Sequence, residues 1–310
     1  MENNWVSYKN GNYIVALDTA HGTKIRYNDL DFFKADRPEN MDICITRYCE
    51  YGCPYCHENA TVNGKHGDIM NSKFIDTLPE WIEAAVGGGR VTSHPDLVPF
   101  LRKLKERHII ANITVQQTEF MSHLSLLREL SNQKLIYGLG ISLTNPYEEG
   151  FIAAVKSFPN AVIHVINGVV TPAQLSALGC KDLKILILGY KEVRRGVAYK
   201  ADVDHMVEFR KNRLYASLPF IAEHNWFKTI SFDNLALEQL EPKRFLSDEF
   251  YQNHYLGCDG IDGETQTSAS YYVDLVENVF ARNSCDVEHR YPLENHTATE
   301  CYQLLRDNKI

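Results

Sequence analysis

Asp42-Ile-Cys-Ile-Thr-Arg-Tyr-Cys49-Glu-Tyr-Gly-Cys53-Pro-Tyr-Cys56 is a short apolar run followed at once by three cysteines in a loop punctuated by Gly52 and Pro54. Residues 42–46 read as a buried strand, and the glycine and proline oppose its continuation. The three thiols therefore sit just past a strand's C-terminal end. Similar apolar runs recur at 111–115, 138–142, 161–166 and 183–188, and a weaker one enters Val86 and ends in Gly87-Gly88-Gly89. Helical periodicity fills the intervals. Ile75, Leu78, Ile82 and Ala85 recur three and four apart and predict a helix over 71–85. Leu97, Phe100, Leu101 and Leu104 predict another over 94–107. Thr171-Pro172 opens a third, with an N-cap followed by a proline at the first helical position.

Strands alternating with helices imply a parallel sheet covered by helices. Six such units rather than eight indicate an α/β fold of the partial (β/α)6, TIM-like barrel type, whose chemistry sits at the C-terminal strand ends. Ahead of it, 13–17 and 24–27 read as a β-hairpin turning at His21-Gly22, an extension occupying 1–39. The barrel is expected over 40–240, including a helix-rich stretch at 203–225 and a strand at 229–232. Beyond about 240 the alternation is lost, and 241–310 reads as a small separate C-terminal module with a hairpin across 271–285.

The chain of 310 residues is 44% hydrophobic and 23% charged, the composition of a folded soluble domain. Its formal charge of −8 argues against long nucleic acid as a partner, since backbone binding relies on excess Lys and Arg. No run reaches the roughly 20 apolar residues that span a bilayer, and the N-terminus lacks a signal-peptide pattern, so a cytoplasmic, reducing setting is expected. There, three of eight cysteines within eight residues point to metal rather than to disulfides.

Three closely spaced thiolates can each bind a different iron of one cubane and leave the fourth iron open to a small molecule. Zinc is the competing reading, with His57 or Cys44 available as a fourth ligand. Buried, unligated thiols are the third.

Cys-x3-Cys-x2-Cys directly after the first barrel strand, with Tyr55 before the last cysteine, resembles the radical S-adenosylmethionine (SAM) superfamily over residues 40–200. The resemblance implies a [4Fe-4S] cluster on Cys49, Cys53 and Cys56, with SAM on the open iron and Tyr55 beside its adenine. It also implies reductive cleavage of SAM to a 5′-deoxyadenosyl radical that abstracts hydrogen from a peptide, nucleoside or small metabolite. An electron donor such as flavodoxin or ferredoxin would serve as partner. Gly88-Gly89-Arg90-Val91, followed by His94-Pro95-Asp96-Leu97, is similar to the family's Gly-Gly-Glu-Pro segment. Gly88 and Gly89 are thereby expected at the SAM ammonium, although Arg90 replaces the usual acid. Ser142 matches a ribose-contacting position.

Gln116, Gln117, His164, Asn167 and Lys191 lie at or past later strand ends as further candidates for contact with SAM or substrate. Cys44, between Ile43 and Ile45, reads as a core thiol facing away from them. Cys258, Cys285 and Cys301 are candidate ligands of an auxiliary iron–sulfur cluster, against a clusterless cap. The non-redox alternative for the whole chain is a zinc-stabilised α/β binding protein.

Overall fold

The computed structural model describes residues 4–30, 32–255, 269–307 and 310. At the N-terminus β1 (Trp5–Asn10), β2 (Tyr13–Asp18) and β3 (Lys24–Tyr27) form an antiparallel sheet in that order. The expected hairpin is present, turning through Gly22 at φ +77°, and a preceding strand joins it. Its anchor is Glu39, fully buried, whose carboxylate takes Arg26 at 2.7 Å, Lys24 at 3.4 Å and the Tyr13 hydroxyl. Glu39 lies just ahead of the first barrel strand, so the extension covers the end of the barrel away from the cysteines.

In the main sheet β4 (Asn40–Thr46), β5 (Glu83–Gly88), β6 (Ile110–Gln116), β7 (Gly138–Ser142), β8 (Ala161–Ile166), β9 (Lys184–Leu188) and β10 (Thr229–Phe232) are parallel and adjacent in chain order. The connections carry α1 (Leu97–Glu106), α2 (Gln117–Ser122), α3 (Leu124–Asn132), α4 (Phe151–Lys156), α5 (Pro172–Leu178) and α6 (Arg195–Glu223), the last interrupted at Val203. Helices α7 (Asn234–Leu240) and α8 (Asp248–His254) follow β10. Among the described residues no helix is long and apolar enough to cross a membrane.

Two expectations are corrected. The helix over 71–85 does not form; a single 3-10 turn, Ile75–Thr77, is followed by β5. Pro79 forces Leu78 to an extended ψ of 129°, and Trp81 takes φ +66°, so the helical ladder cannot propagate. Ile75, Leu78 and Ile82 are still buried, which is why their spacing imitates a helix, whereas Ala85 is exposed.

The hairpin near 271–285 is present as β11 (Ser270–Asp274) and β12 (Val279–Ala281), extended by β13 (Tyr291–Pro292). It is not set apart, because β11 pairs in parallel with β4 on the side opposite β5. Helix α9 (Ala298–Arg306) then returns beside the 75–77 turn, with Ala298 N donating to Thr77 Oγ1 at 2.9 Å. Its Ala298, Cys301, Tyr302 and Leu305 join the core with Ile75 and Leu78, so α9 covers apolar surface that the missing helix would have covered.

Alternation divides the barrel strands into two faces. Ile43, Val86, Ile113, Ile141, Ile163 and Ile185 are buried in the core beneath the helices. The residues between them face the opposite, inner side, which β6 to β9 leave only partly covered. The ends of this open sheet are drawn together by side chains rather than by strand pairing. Arg194 Nη1, past β9, donates to the Glu58 carbonyl at 2.9 Å, and Arg195 Nη2 donates to that of Ala60 at 2.7 Å. Lys191 Nζ donates to Ser284 Oγ, past β12, at 2.8 Å.

Candidate active site

The cysteine loop leaves β4 and folds back on itself. Cys49 N donates to Thr61 O at 2.9 Å, Thr61 N to Arg47 O at 3.0 Å, and Arg47 N to Lys65 O at 2.8 Å. Inside this frame Cys56 N bonds Cys53 O at 3.2 Å, and Gly52 takes φ +62°. The three thiols are partly buried and unpaired. Burial raises Cys49, as does neighbouring Cys56; burial raises Cys53, as do Cys56 and Cys49.

The Gly-Gly turn explains itself first through the loop. Gly89 N donates to Thr46 O at 2.6 Å and Arg90 N to Tyr48 O at 2.7 Å. Gly88 adopts φ +119°, and a Cβ there would strike the Thr46 carbonyl; one on Gly89 would strike that of Tyr48. These glycines let β5 dock on the root of the cysteine loop. Gly87 differs, because among the described residues nothing lies within 4 Å of where its Cβ would be. It is the turn's open cradle, beside Cys44 in the β4–β5 register. Arg90 meets a carboxylate, that of Glu50 in the loop, and also lies 3.3 Å from His123 Nε2.

Three expected residues come together in one row. Gln116, Ser142 and His164 are register partners on β6, β7 and β8 and share the inner face. His164 leans across Gly140, where a Cβ would strike its ring, and burial lowers its pKa to about 4, leaving it neutral. Gln116 is committed elsewhere, since its side chain accepts from Thr118 N and caps α2. Gln117 is likewise corrected. It is fully buried, accepting from Thr144 N and Asn145 N at 2.9 Å each and donating to Asn145 O and Glu148 at 2.6 Å each. Asn167, also fully buried, donates to Gln239 at 3.0 Å. Ser142 Oγ keeps no such commitment among the described residues. Tyr55 stands edge-on to Tyr199 of α6 at 5.6 Å, and burial, then Cys53, raises its hydroxyl to about 12.

Beneath the loop lies a charged network that the sequence did not suggest. Arg47 bonds Asp274 of β11 and the Glu58 carbonyl, and lies 3.6 Å from the Glu58 carboxylate. The Tyr272 hydroxyl donates to Glu58 at 3.0 Å, and Arg194 reaches the same carboxylate at 3.5 Å. Burial, then the positive field of Lys191, Arg194, Arg47 and Arg290, holds His57 well below the usual imidazole range. A signal existed in Arg47 and Glu58, which flank the cysteine triplet, but Asp274 is more than 200 residues away. Cys44 is buried on the inner face as expected, within 4.8 Å of Glu58 and Asp274.

That set is the only group of three ligand atoms within 4.8 Å of one another among the described residues, and it excludes the triplet. A tetrahedral zinc with bonds near 2.3 Å would hold its sulfurs about 3.8 Å apart. The triplet's sulfurs do not all lie within 4.8 Å of one another, and the Cys44 thiol donates to the Thr46 carbonyl at 3.7 Å. The three thiols come from one loop at the C-terminal end of β4.

At the C-terminus Cys301 lies in the apolar core, with burial raising its thiol to about 12, and Cys285 joins no such ligand set. Cys258 lies outside the described residues. A surface hollow of about 450 Å³ by Tyr147, Ile152 and Lys181 lies beside α4 and shares no residue with this site.

No family model and no curated protein matches the chain. Among solved structures it is similar to Streptococcus suis SuiB bound to S-adenosylmethionine, with a TM-score of 0.59 and 11% identity over 100% of this chain and 89% of that one. SuiB bound to precursor peptide SuiA gives 0.57 and 11%, over 99% and 88%. At such identity the likeness is one of fold, and it bears out the partial TIM-like α/β barrel.

Proposed function

We propose that this chain is a radical SAM enzyme whose Cys49, Cys53 and Cys56 hold a [4Fe-4S] cluster. The observation that carries the reading is the thiol triplet at the C-terminal end of β4, next to the β5 end whose Gly89 docks on the root of the cysteine loop, on a fold shared with a protein crystallised with SAM. Bound there, the cluster would supply an electron that splits the SAM sulfonium and yields a 5′-deoxyadenosyl radical.

The chain's own residues bind and shield. Burial favours the protonated thiols of Cys49 and Cys53, so iron must displace protons that the apo chain retains. Gly87 gives a ligand room to approach the backbone, and Ser142 offers an uncommitted hydroxyl. His164 stays neutral beside it and adds no charge to the inner face. Tyr55 and Tyr199 form an aromatic wall, while Arg194, Arg195 and Lys191 bridge the open side of the barrel and limit entry of water. An external reductant such as flavodoxin or ferredoxin completes the system.

Anaerobic reconstitution with iron and sulfide tests this. We expect broad visible absorbance, an EPR signal on reduction, and 5′-deoxyadenosine that depends on dithionite. Each single change of Cys49, Cys53 or Cys56 to Ala should abolish the nucleoside, while Cys44→Ala should leave iron binding intact. Stoichiometric zinc with no SAM cleavage in a reduced sample would overturn the proposal.

A further inference from the structure

The side of the mouth between β9 and β12 gathers four cations. Lys191, Arg194, Arg47 and Arg290 gather there around Glu58, Asp274 and Glu277, the last of these half-exposed. Arg47 approaches all three carboxylates, and Arg194 takes Glu58.

Two further cations, Lys191 and Arg290, meet at Ser284. Lys191 Nζ bonds only Ser284 Oγ, at 2.8 Å, and among the described residues no carboxylate lies within 4.0 Å of it. Arg290 donates through Nη2 to the Ser284 carbonyl at 3.1 Å and through Nε to Asp286 O at 2.9 Å. Its guanidinium lies 4.7 Å over the Tyr272 ring and its Nη1 makes only a long ion pair with Asp274 at 3.9 Å, so among the described residues that buried N–H has no hydrogen-bond acceptor. Ser284 is 5% exposed, and its hydroxyl, having accepted from Lys191, still has a proton to donate. Among the described residues, then, a half-buried ammonium has no carboxylate within 4.0 Å and a buried guanidinium N–H has no hydrogen-bond acceptor; both are costly, and one ligand oxyanion would serve both.

We propose that Lys191, Ser284 and Arg290 form a subsite for an oxyanion of the substrate, a carboxylate or a phosphate. The inference deepens the radical SAM reading by naming the substrate's recognition group. Charge-assisted bonds from Lys191 and Arg290, with the Ser284 hydroxyl as a third donor, would fix one end of the substrate and leave its carbon skeleton over the inner face.

The full chain, without cluster, SAM or reductant, is titrated with inorganic phosphate and separately with acetate, followed by calorimetry and thermal unfolding. We expect saturable binding of at least one anion, with phosphate preferred if the natural group is a phosphate ester and acetate if it is a carboxylate. Lys191→Gln and Arg290→Gln should each weaken binding at least tenfold. Lys191→Arg should retain it within about threefold, which separates loss of charge from loss of fold, and Lys181→Gln on the outer surface should change nothing. Absence of saturable binding, equal binding by the Gln variants, or competitive displacement of the anion by SAM would each overturn the proposal. Anion binding without SAM cleavage would preserve this inference and sink the enzyme reading; cleavage without anion binding would do the reverse.

Discussion

At the residue scale, the glycine turn separates architecture from function. Gly88 and Gly89 match the positions expected to approach SAM, yet both are required by the packing of β5 on the cysteine loop. Gly88→Ala combines an unfavourable φ with a backbone collision, and we expect it to destabilise the fold by about 3 kcal/mol or more. Gly87→Ala meets nothing among the described residues, so its unfolding midpoint should stay within a few degrees of the parent's. Equilibrium dialysis of the reconstituted protein should show SAM affinity reduced at least tenfold, because the new methyl occupies the cradle. Full SAM affinity in Gly87→Ala would place the ligand elsewhere. The motif was legible as letters, but which glycine faces protein and which faces open space depends on neighbours from β4 that the motif does not contain.

At the element scale, β11 is the strand that ties the C-terminus to the site. Its Asp274 is fully buried and bonded to Arg47, two residues before Cys49, so the last strand of the parallel set fixes the root of the cysteine loop. Removing one partner of a buried pair leaves the other charge uncompensated. Asp274→Ala should therefore cost about 3–5 kcal/mol in urea denaturation. Glu277→Gln, at a half-exposed partner of the same arginine, should cost less than about 1 kcal/mol. Equal effects would mean that Arg47 is solvated and the latch is not structural. The hairpin itself was visible in its alternating residues. Its docking on β4 was not, because parallel pairing across more than 200 residues leaves no local mark. The missing helix at 71–85 is the converse case: three apolar residues at helical spacing were buried, but Pro79 spoiled the backbone beneath them.

At the scale of the whole molecule, His164 gives the inner face a measurable pH signature. Burial lowers its pKa from 6.5 to about 4, so the unfolded chain takes up this proton before the folded chain does. The residue's contribution to stability is complete above about pH 6.5 and is lost as pH falls through 6.5 toward 4. Between pH 7 and pH 4 the parent should lose up to about 3 kcal/mol more than His164→Asn, measured by urea denaturation at constant ionic strength. Parallel pH profiles for the two proteins would show that the ring is solvated and the inner face open at that point.

The sequence by itself determined the alternation of strands and helices, the parallel barrel it implies, and the thiol triplet at the first strand's end. These are local matters of side-chain period, turn residues and spacing, written within a few residues of one another. Only the tertiary structure decided that Gln116 and Gln117 are spent on the scaffold and that Gly87 rather than Gly88 is open. It alone showed that the C-terminal strand latches the cysteine loop, and that Lys191 and Arg290 meet at Ser284. Hydrogen-bond satisfaction, steric room and charge balance belong to the set of neighbours around a group, and folding assembles that set from distant parts of the chain.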